Sequence, residues 1–269
     1  MGVLNVTPDS FSDGGRYVAL DAAVTHGAEL LAQGASIIDV GGESTRPRAE
    51  AVPVDEETRR VVPVIRGILD AVPDARCSID TTKAAVAAAA LDAGAVIVND
   101  ISAGTFDANL LAAVADHDAG YVAMHMQGTP ATMQDDPHYD DVVREVGDFL
   151  VARLDAARAA GVRDDALFAD PGIGFGKTIE HNLALLAALA SLVERLDVPV
   201  LVGASRKSFL GSLTGAAPVT DREAQTLATT VWAFECGARV VRVHEVAPSV
   251  RAARLLHTIA TATPEGAAA

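Results

Sequence analysis

Short apolar runs alternate along the chain with longer segments of helical spacing, and polar loops separate the two. The apolar runs are nearly continuous, which is typical of parallel strands buried on both faces. Eight runs are predicted to be strands: residues 2–6, 36–40, 77–79, 95–98, 121–124, 166–169, 198–202 and 239–243.

A segment of helical periodicity follows each predicted strand. The predicted helices are residues 20–33, 55–70, 82–92, 108–117, 139–160, 182–195, 221–236 and 246–259. Eight strand–helix units without a linker-like break predict an α/β fold, a single (β/α)8 barrel over residues 1–260 with a flexible tail at 261–269. An open doubly wound sheet is the alternative. It would need a glycine-rich dinucleotide turn after the first strand, and residues 7–15 lack G-x-G-x-x-G.

A polar residue stands at the carboxyl end of nearly every predicted strand. The residues are Asn5, Asp80, Asn99, His125, Asp170, Ser205, Arg206, Lys207, Arg242 and His244, and the second strand ends instead at Gly41-Gly42. In a barrel all carboxyl ends meet at one mouth, where active sites lie. We therefore expect these side chains to line one pocket.

Three of these residues favour a nitrogen heterocycle as ligand. Asp170, which opens the glycine-rich stretch DPGIGFGK, offers a carboxylate, and Asn99 offers an amide. A ring edge with adjacent N–H donors matches such acceptors. Asp80 has the same chemistry, although an N-cap of the following helix is its alternative role.

Four residues near the strand ends carry or can acquire positive charge, which suits phosphate. They are Arg46, Lys207, Arg242 and His244. Arg242 and His244 stand two apart on a strand, so both side chains should point the same way. Asn5 either holds its own loop or offers one oxygen to Mg²⁺ that arrives with a diphosphate, because no carboxylate cage is visible nearby.

Two further polar residues have less specific explanations. His125 is expected to pack at the end of its strand. Lys177 is either a solvated lysine or a ligand contact, and the sequence does not separate these alternatives.

The charge balance narrows the possible partners. In 269 residues, 21 basic and 36 acidic side chains give a net charge of −15, which argues against a nucleic-acid binder or an anionic-membrane binder. No signal peptide and no run of membrane-spanning length is visible. Cys77 and Cys236 are predicted to be free thiols in a reducing cytosol, so the expected location is cytoplasmic.

Sequence motifs spread over almost the whole chain resemble those of the dihydropteroate synthase family. In order they are MGVLNVTPDSFSDGG at 1–15, DVGGESTRP at 39–47, SIDTTK at 78–83, VNDIS at 98–102, MHMQGTP at 124–130, DPGIGFGK at 170–177, GASRKSFLG at 203–211 and RVHEV at 242–246. The chain departs from the family after STRP, where Arg48-Ala49-Glu50 stands in place of the common glycine.

The resemblance implies a transferase of folate biosynthesis on a (β/α)8 barrel. Its reaction would join 6-hydroxymethyl-7,8-dihydropterin diphosphate to p-aminobenzoate, giving 7,8-dihydropteroate and pyrophosphate. The resemblance also implies Mg²⁺ as cofactor and a homodimer as the assembly.

The resemblance further implies roles for individual residues. The pterin would be bound by Asp80, Asn99, Met124, Asp170 and Lys207. The diphosphate would be bound by Asn5, Arg242 and His244, with Mg²⁺ at Asn5. The p-aminobenzoate would be framed by Thr45, Arg46, Pro47, Phe175, Lys207 and Ser208. The implied catalytic residues are Asp80, Lys207, Arg242 and His244, and residues 7–15 and 41–52 would close over the site.

Two other functions are possible for the same pterin pocket. A methyltetrahydrofolate-dependent corrinoid methyltransferase would bind no diphosphate, which the STRP, SRKS and RVH motifs argue against. A non-catalytic pterin-binding paralogue should have lost polar strand-end residues, and the expected ones are present.

Overall fold

Parallel strands form the centre of the structure, a computed structural model that describes residues 1–6, 16–47, 49–215, 218 and 221–262. Within these residues there are eight strands: β1 (Gly2–Asn5), β2 (Ile38–Gly41), β3 (Cys77–Asp80), β4 (Ile97–Asp100), β5 (Gly120–Met124), β6 (Leu167–Asp170), β7 (Leu201–Val202) and β8 (Val240–Val241). Strands β1 to β6 pair in chain order, and β7 pairs with β8.

Two parallel bridges join these two sheets into a closed ring. Ala169 pairs with Val200 on one side, and Gly2 pairs with Val243 on the other. The backbone N–H of Val3 donates to the carbonyl of Val243 at 3.0 Å, so the first and last strands lie side by side. The predicted (β/α)8 barrel is confirmed, and the open doubly wound sheet is wrong.

Helices surround this ring. In the described part of the chain they are α1 (Arg16–Ala32), α2 (Val54–Ala71), α3 (Ala84–Asp92), α4 (Leu110–Asp116), α5 (Val142–Ala159), α6 (Ile179–Ala187), α7 (Leu189–Leu196), α8 (Ser208–Leu213), α9 (Glu223–Glu235) and α10 (Val246–Thr261). Helix α10 reaches the first residue of the predicted tail, and residues 263–269 lie outside the described chain. None of the described helices is both long and apolar enough to cross a membrane.

The structure differs from the predicted elements mainly in one broken helix, one additional helix and two shortened strands. The helix predicted over 182–195 is broken at Ala188 into α6 and α7, and the Trp232 indole N–H donates at 2.7 Å to the Leu186 carbonyl, which an unbroken helix would use internally. Helix α8 was not predicted. Strands β7 and β8 are shorter than their apolar runs, because Val200 and Val243 form single bridges instead of a continuous ladder.

Candidate active site

The carboxyl ends of the strands meet at one mouth of the barrel. Asn5 is in register with Gly41, Gly41 with Asp80, and Asp80 with Asn99. On the other side of the mouth, Met124 is in register with Asp170. The carboxyl ends of these neighbouring strands therefore lie side by side, as the predicted barrel requires.

Arg242 links two strands across this mouth. Its Nη2 donates to Asp80 Oδ2 at 2.7 Å, and its Nε donates to Asp39 Oδ2 at 2.5 Å. Burial lowers the pKa of Arg242, but the Asp39 and Asp80 carboxylates outweigh it and raise the pKa overall, so the guanidinium stays charged.

Asp80 faces the mouth and does not cap a helix. Helix α3 begins after Lys83, and the N–H of its first residue, Ala84, donates to Asp107 Oδ2 at 2.8 Å, so the N-cap alternative for Asp80 is wrong. Burial raises the pKa of the Asp80 carboxyl, against the opposing effect of Arg242. A carboxylate held next to a guanidinium in this way can stabilise a positive charge that develops nearby.

Asp170 and Lys207 carry opposite charges near each other in the mouth. Asp170 Oδ1 accepts from the Gly172 backbone N–H at 2.7 Å. Burial raises the pKa of Asp170 to about 6, although the Gly172 hydrogen bond, Lys207, Lys177 and Arg242 oppose the shift. Burial and the neighbouring Arg242 lower the pKa of Lys207 to about 8. At neutral pH both groups are mainly charged.

An apolar wall lies beside these charges. Ile101, Met124, Met126, Met133 and Phe175 form one buried cluster. The Lys207 ammonium sits 3.9 Å from the centre of the Phe175 ring, a cation–π contact that holds the lysine over the aromatic face. The mouth thus offers apolar surface for a flat ring and polar groups for its edge.

His244 belongs to the cationic side of the mouth. Its Nδ1 lies 3.0 Å from the Ser205 hydroxyl. Burial, together with the positive charges of Arg206, Arg242, Lys207 and Arg46, lowers its pKa to about 3. Arg242, Lys207 and Arg46 thus lie close enough to His244 to act on it electrostatically. An anion placed among them would favour protonation of His244.

The second predicted loop is anchored at its base. Lys83 Nζ contacts Glu43, which precedes the STRP motif, and it contacts the fully buried Glu57 of α2 at 2.5 Å.

Thr45 is half-buried, while Arg46 and Pro47 are exposed. Ser208 is exposed in the first turn of α8. The first predicted loop, residues 7–15, and Arg48 lie outside the described residues.

Lys177 and His125 are structural partners beneath the mouth. Lys177 is buried and donates at 2.9 Å to the carbonyls of Gly172 and Phe175, with its Nζ also 2.9 Å from His125 Nδ1. Both alternatives for Lys177 are therefore wrong. The side chain is not solvated, and its ammonium donates to carbonyls of its own loop instead of to a ligand. His125 packs edge-on against Phe149, 4.9 Å between ring centres, so the prediction of a packed histidine is confirmed.

Asp39 is the site residue that the sequence reading missed. It lies inside β2, is fully buried, and accepts from Ser78, Asn99 and Arg242. A carboxylate in the body of a buried strand was the available signal, because charged side chains are rarely buried without partners.

Asn5 is the only predicted metal contact. A Cβ placed on Gly41 would lie 3.6 Å from Asn5 Oδ1 and 3.7 Å from Asp80 Oδ2, so both oxygens face the same glycine. Among the described residues no group of three or more His, Cys, Asp or Glu could hold a metal ion. An amide oxygen suits Mg²⁺ when phosphate and water complete its octahedron. The donors present therefore fit a metal that is carried by an anionic substrate.

Comparisons with known proteins agree with this geometry. Residues 1–244 match the family described as pterin binding enzyme. A dihydropteroate synthase of Synechocystis is 47% identical over 246 residues, which are 91% of this chain and 84% of that protein.

Two solved structures of dihydropteroate synthase from Xanthomonas albilineans resemble the whole barrel. The structure with 4-aminobenzoic acid has a TM-score of 0.91 and 47% identity, covering 98% of this chain and 93% of that chain. The structure in complex with 7,8-dihydropteroate has a TM-score of 0.88 and 44% identity, covering 98% and 94%.

These relatives decide between the functions that the sequence left open. All three are named as dihydropteroate synthases, and none is a corrinoid methyltransferase. Similarity of this extent in both sequence and fold shows that the chain belongs to the dihydropteroate synthase family of pterin binding enzymes, the transferases of folate biosynthesis.

Proposed function

We propose that the chain joins 6-hydroxymethyl-7,8-dihydropterin diphosphate to p-aminobenzoate and releases pyrophosphate. The observation that carries this proposal is the position of Arg242, which lies in the same mouth as Asp170 and Asn99 and is held by two carboxylates. A heterocycle bound at Asp170 would therefore place its anionic substituent beside a fixed cation.

Pterin recognition would use the polar edge and the apolar wall together. Asp170 and Asn99 would accept from ring N–H groups, with Asp80 and Lys207 around the ring and Met124 packing against its face. The ring edge supplies adjacent donors, so a carboxylate beside an amide oxygen matches it better than two donors would.

Loss of the diphosphate would be the step that the protein assists most. The C–O bond at the pterin methylene breaks, and its electron pair leaves with pyrophosphate. Arg242 and His244 would stabilise the leaving negative charge, and Asp80 would stabilise the methylene cation conjugated with the ring. Mg²⁺ would be held by Asn5 together with the diphosphate oxygens, and when bound it supplies further charge neutralisation.

The second substrate would complete the reaction without a strong general base. The aryl amine is neutral at pH 7; its nitrogen supplies the electron pair of the new C–N bond and then releases one proton. Thr45, Arg46, Pro47, Phe175, Lys207 and Ser208 would frame it. Arg46 is exposed in the second loop, and its guanidinium would pair with the aminobenzoate carboxylate. Closure of the loops at 7–15 and 41–52 would keep water from the cation.

Pyrophosphate release tests this function. With the pterin diphosphate and Mg²⁺, p-aminobenzoate should accelerate release and 7,8-dihydropteroate should accumulate in equal amount. Benzoate, which lacks the amine, is the matched control and should yield no coupled product. Release at the same rate with either compound would overturn the proposal.

The activity should depend on pH on both sides of neutrality. Asp170 offers both of its oxygens as hydrogen-bond acceptors only when it is ionised, and burial raises its pKa to about 6, so kcat/KM for the pterin diphosphate should fall as the pH drops below that value. Lys207 loses its charge above a pKa of about 8, so kcat/KM should also fall on the alkaline side. Lys207→Arg should move the alkaline limb upward, because a guanidinium stays charged. A flat profile between pH 5 and 9 would contradict both assignments.

We infer that the protein is a homodimer through α9 and α10. A groove of about 620 Å³ lies between them, lined by apolar residues that include Leu227, Val231 and Leu256. Leu255 and Ile259 also line it and are 61% and 63% exposed. A contiguous exposed apolar face of this kind is typical of an interaction surface.

Sedimentation of the wild-type protein should therefore give the mass of a dimer. Replacing Leu255 and Ile259 together by glutamate should give monomers, because charge cannot be buried there without a partner. Leu183→Glu on α6, where the leucine is 43% exposed and outside the groove, is the control and should stay dimeric. A wild-type monomer at micromolar concentration would exclude this interface.

We also propose that the protein is cytoplasmic. Cys77 and Cys236 are free thiols, as expected for a protein of a reducing compartment.

A further inference from the structure

Asp39 lies beneath Asn99 and Arg242, two residues proposed to contact the ligand. It is fully buried in β2, in register with Val3 on one side and Ser78 on the other. Its Oδ1 accepts from the Ser78 hydroxyl, and its Oδ2 accepts both from Asn99 Nδ2 at 3.0 Å and from Arg242 Nε at 2.5 Å. One carboxylate thus joins the residue proposed for the ring to the residue proposed for the diphosphate.

The chemistry of these contacts fixes the orientation of the Asn99 amide. A carboxylate can only accept hydrogen bonds, so the amide group that faces Asp39 must be the NH₂. The amide oxygen, Oδ1, is then left for the ligand. Without Asp39 the amide could turn over and present its NH₂, which would meet ring N–H groups as donor against donor.

Asp39 also sets the rotation of the Arg242 guanidinium. Asp39 holds Nε and Asp80 holds Nη2, so two points fix the plane of the group. Neither carboxylate bonds to Nη1. A planar group fixed at two points loses little freedom when it meets a phosphate oxygen.

We propose that Asp39 is a positioning residue that determines specificity for a donor-rich ring edge, by holding the Asn99 oxygen toward the ligand and the Arg242 guanidinium toward the diphosphate. The proposal rests on the proposed function in taking a dihydropterin diphosphate as the ligand.

Two substitutions at position 39 separate the effect of the hydrogen-bond acceptor from the effect of the negative charge. In Asp39→Asn the amide oxygen can take the place of Oδ2, and the new NH₂ can donate to the Ser78 hydroxyl, which rotates to accept. Asn99 then keeps its orientation, and pterin affinity should stay within about threefold of wild type. Asp39→Ala removes the acceptor, so pterin affinity should fall about tenfold or more and kcat should fall as well.

Calorimetry with 6-hydroxymethyl-7,8-dihydropterin and a double-mutant cycle with Asn99→Ala test the proposal. If Asp39 acts through Asn99, the losses of pterin affinity in Asp39→Ala and Asn99→Ala should not add in the double variant. Ser78→Ala, which removes only the Oδ1 contact, is the control and should bind the pterin normally. If Asp39→Ala does not fold, Asp39→Leu fills the volume without an acceptor and carries the same expectation.

Three results would overturn the proposal. The first is unchanged pterin affinity in the folded Asp39→Ala or Asp39→Leu variant, and the second is an equal loss of pterin affinity in Asp39→Asn and Asp39→Ala. The third is additive losses of pterin affinity in the double-mutant cycle, as a merely structural role would give. Pterin binding is measured without p-aminobenzoate, so a wild-type protein that binds pterin but releases no pyrophosphate would refute the proposed reaction and leave this test intact.

Discussion

Arg242→Ala should lower kcat by about 100-fold or more while it weakens pterin binding less than about tenfold. The guanidinium is proposed to meet charge that grows only as the diphosphate leaves, so its contribution belongs to the transition state. The pterin edge is proposed to bind Asp170 and Asn99, and the bond from Asn99 to Asp39 does not involve Arg242. Single-turnover kinetics and pterin calorimetry measure the two effects separately.

The Arg242 experiment needs two controls, because the substitution leaves Asp39 and Asp80 without their cation. Removing one partner of a buried pair destabilises a fold by about 3–5 kcal/mol, so thermal unfolding must be followed for the variant. Arg242→Lys retains a charge but cannot bridge both carboxylates, so kcat should also fall. Arg239→Ala removes an exposed arginine that directly precedes β8, at the strand end away from the mouth, and should leave kcat unchanged. A kcat within threefold of wild type in a folded Arg242→Ala protein would remove Arg242 from the leaving-group role.

Asp170→Asn should weaken pterin binding by about 10- to 100-fold. One oxygen of Asp170 accepts from the Gly172 N–H, and an asparagine would keep its own oxygen there. Its NH₂ would then face the ring donors, so a hydrogen bond would be replaced by two opposed donors in a buried site. Calorimetry with the pterin measures the loss directly.

The control for Asp170→Asn is the same substitution at Asp165, an exposed carboxylate paired with Arg163. That variant should bind the pterin like the wild type. Normal pterin affinity in Asp170→Asn would show that other residues of the mouth bind the ring edge. Circular dichroism should first confirm that both variants are folded.

The barrel was predictable because local patterns agree with the global fold. Nearly continuous apolar runs, each followed by a helical period, leave few arrangements other than parallel strands with outer helices. Two glycines with positive φ, Gly34 at +102° and Gly237 at +93°, follow α1 and α9, where a glycine commonly ends a helix. The break at Ala188 was not predictable, because it coincides with a contact from Trp232, 46 residues beyond Leu186.

The candidate site was predictable in its residue types but not in its internal bonds. Strand-end positions such as Asn99 and Asp170 can be read from the sequence, since a barrel brings them together whatever the details. Asp39 lies within a strand, and its partner Arg242 is 203 residues away, so only the folded chain reveals their contact. Lys177 looked like a loop lysine, but the carbonyls of Gly172 and Phe175 require a donor beneath the mouth, and its ammonium supplies it.

The bridge between the first and last strands has a consequence for synthesis on the ribosome. Until β8 emerges, Asp39 and Asp80 repel each other without Arg242, and β1 lacks one neighbour. Contacts between such distant residues form late in folding and leave incomplete chains exposed to aggregation. A nascent chain thus gains Arg242, the cation proposed to stabilise the leaving diphosphate, only after β8 has been synthesised, so no shorter intermediate should bind substrate productively.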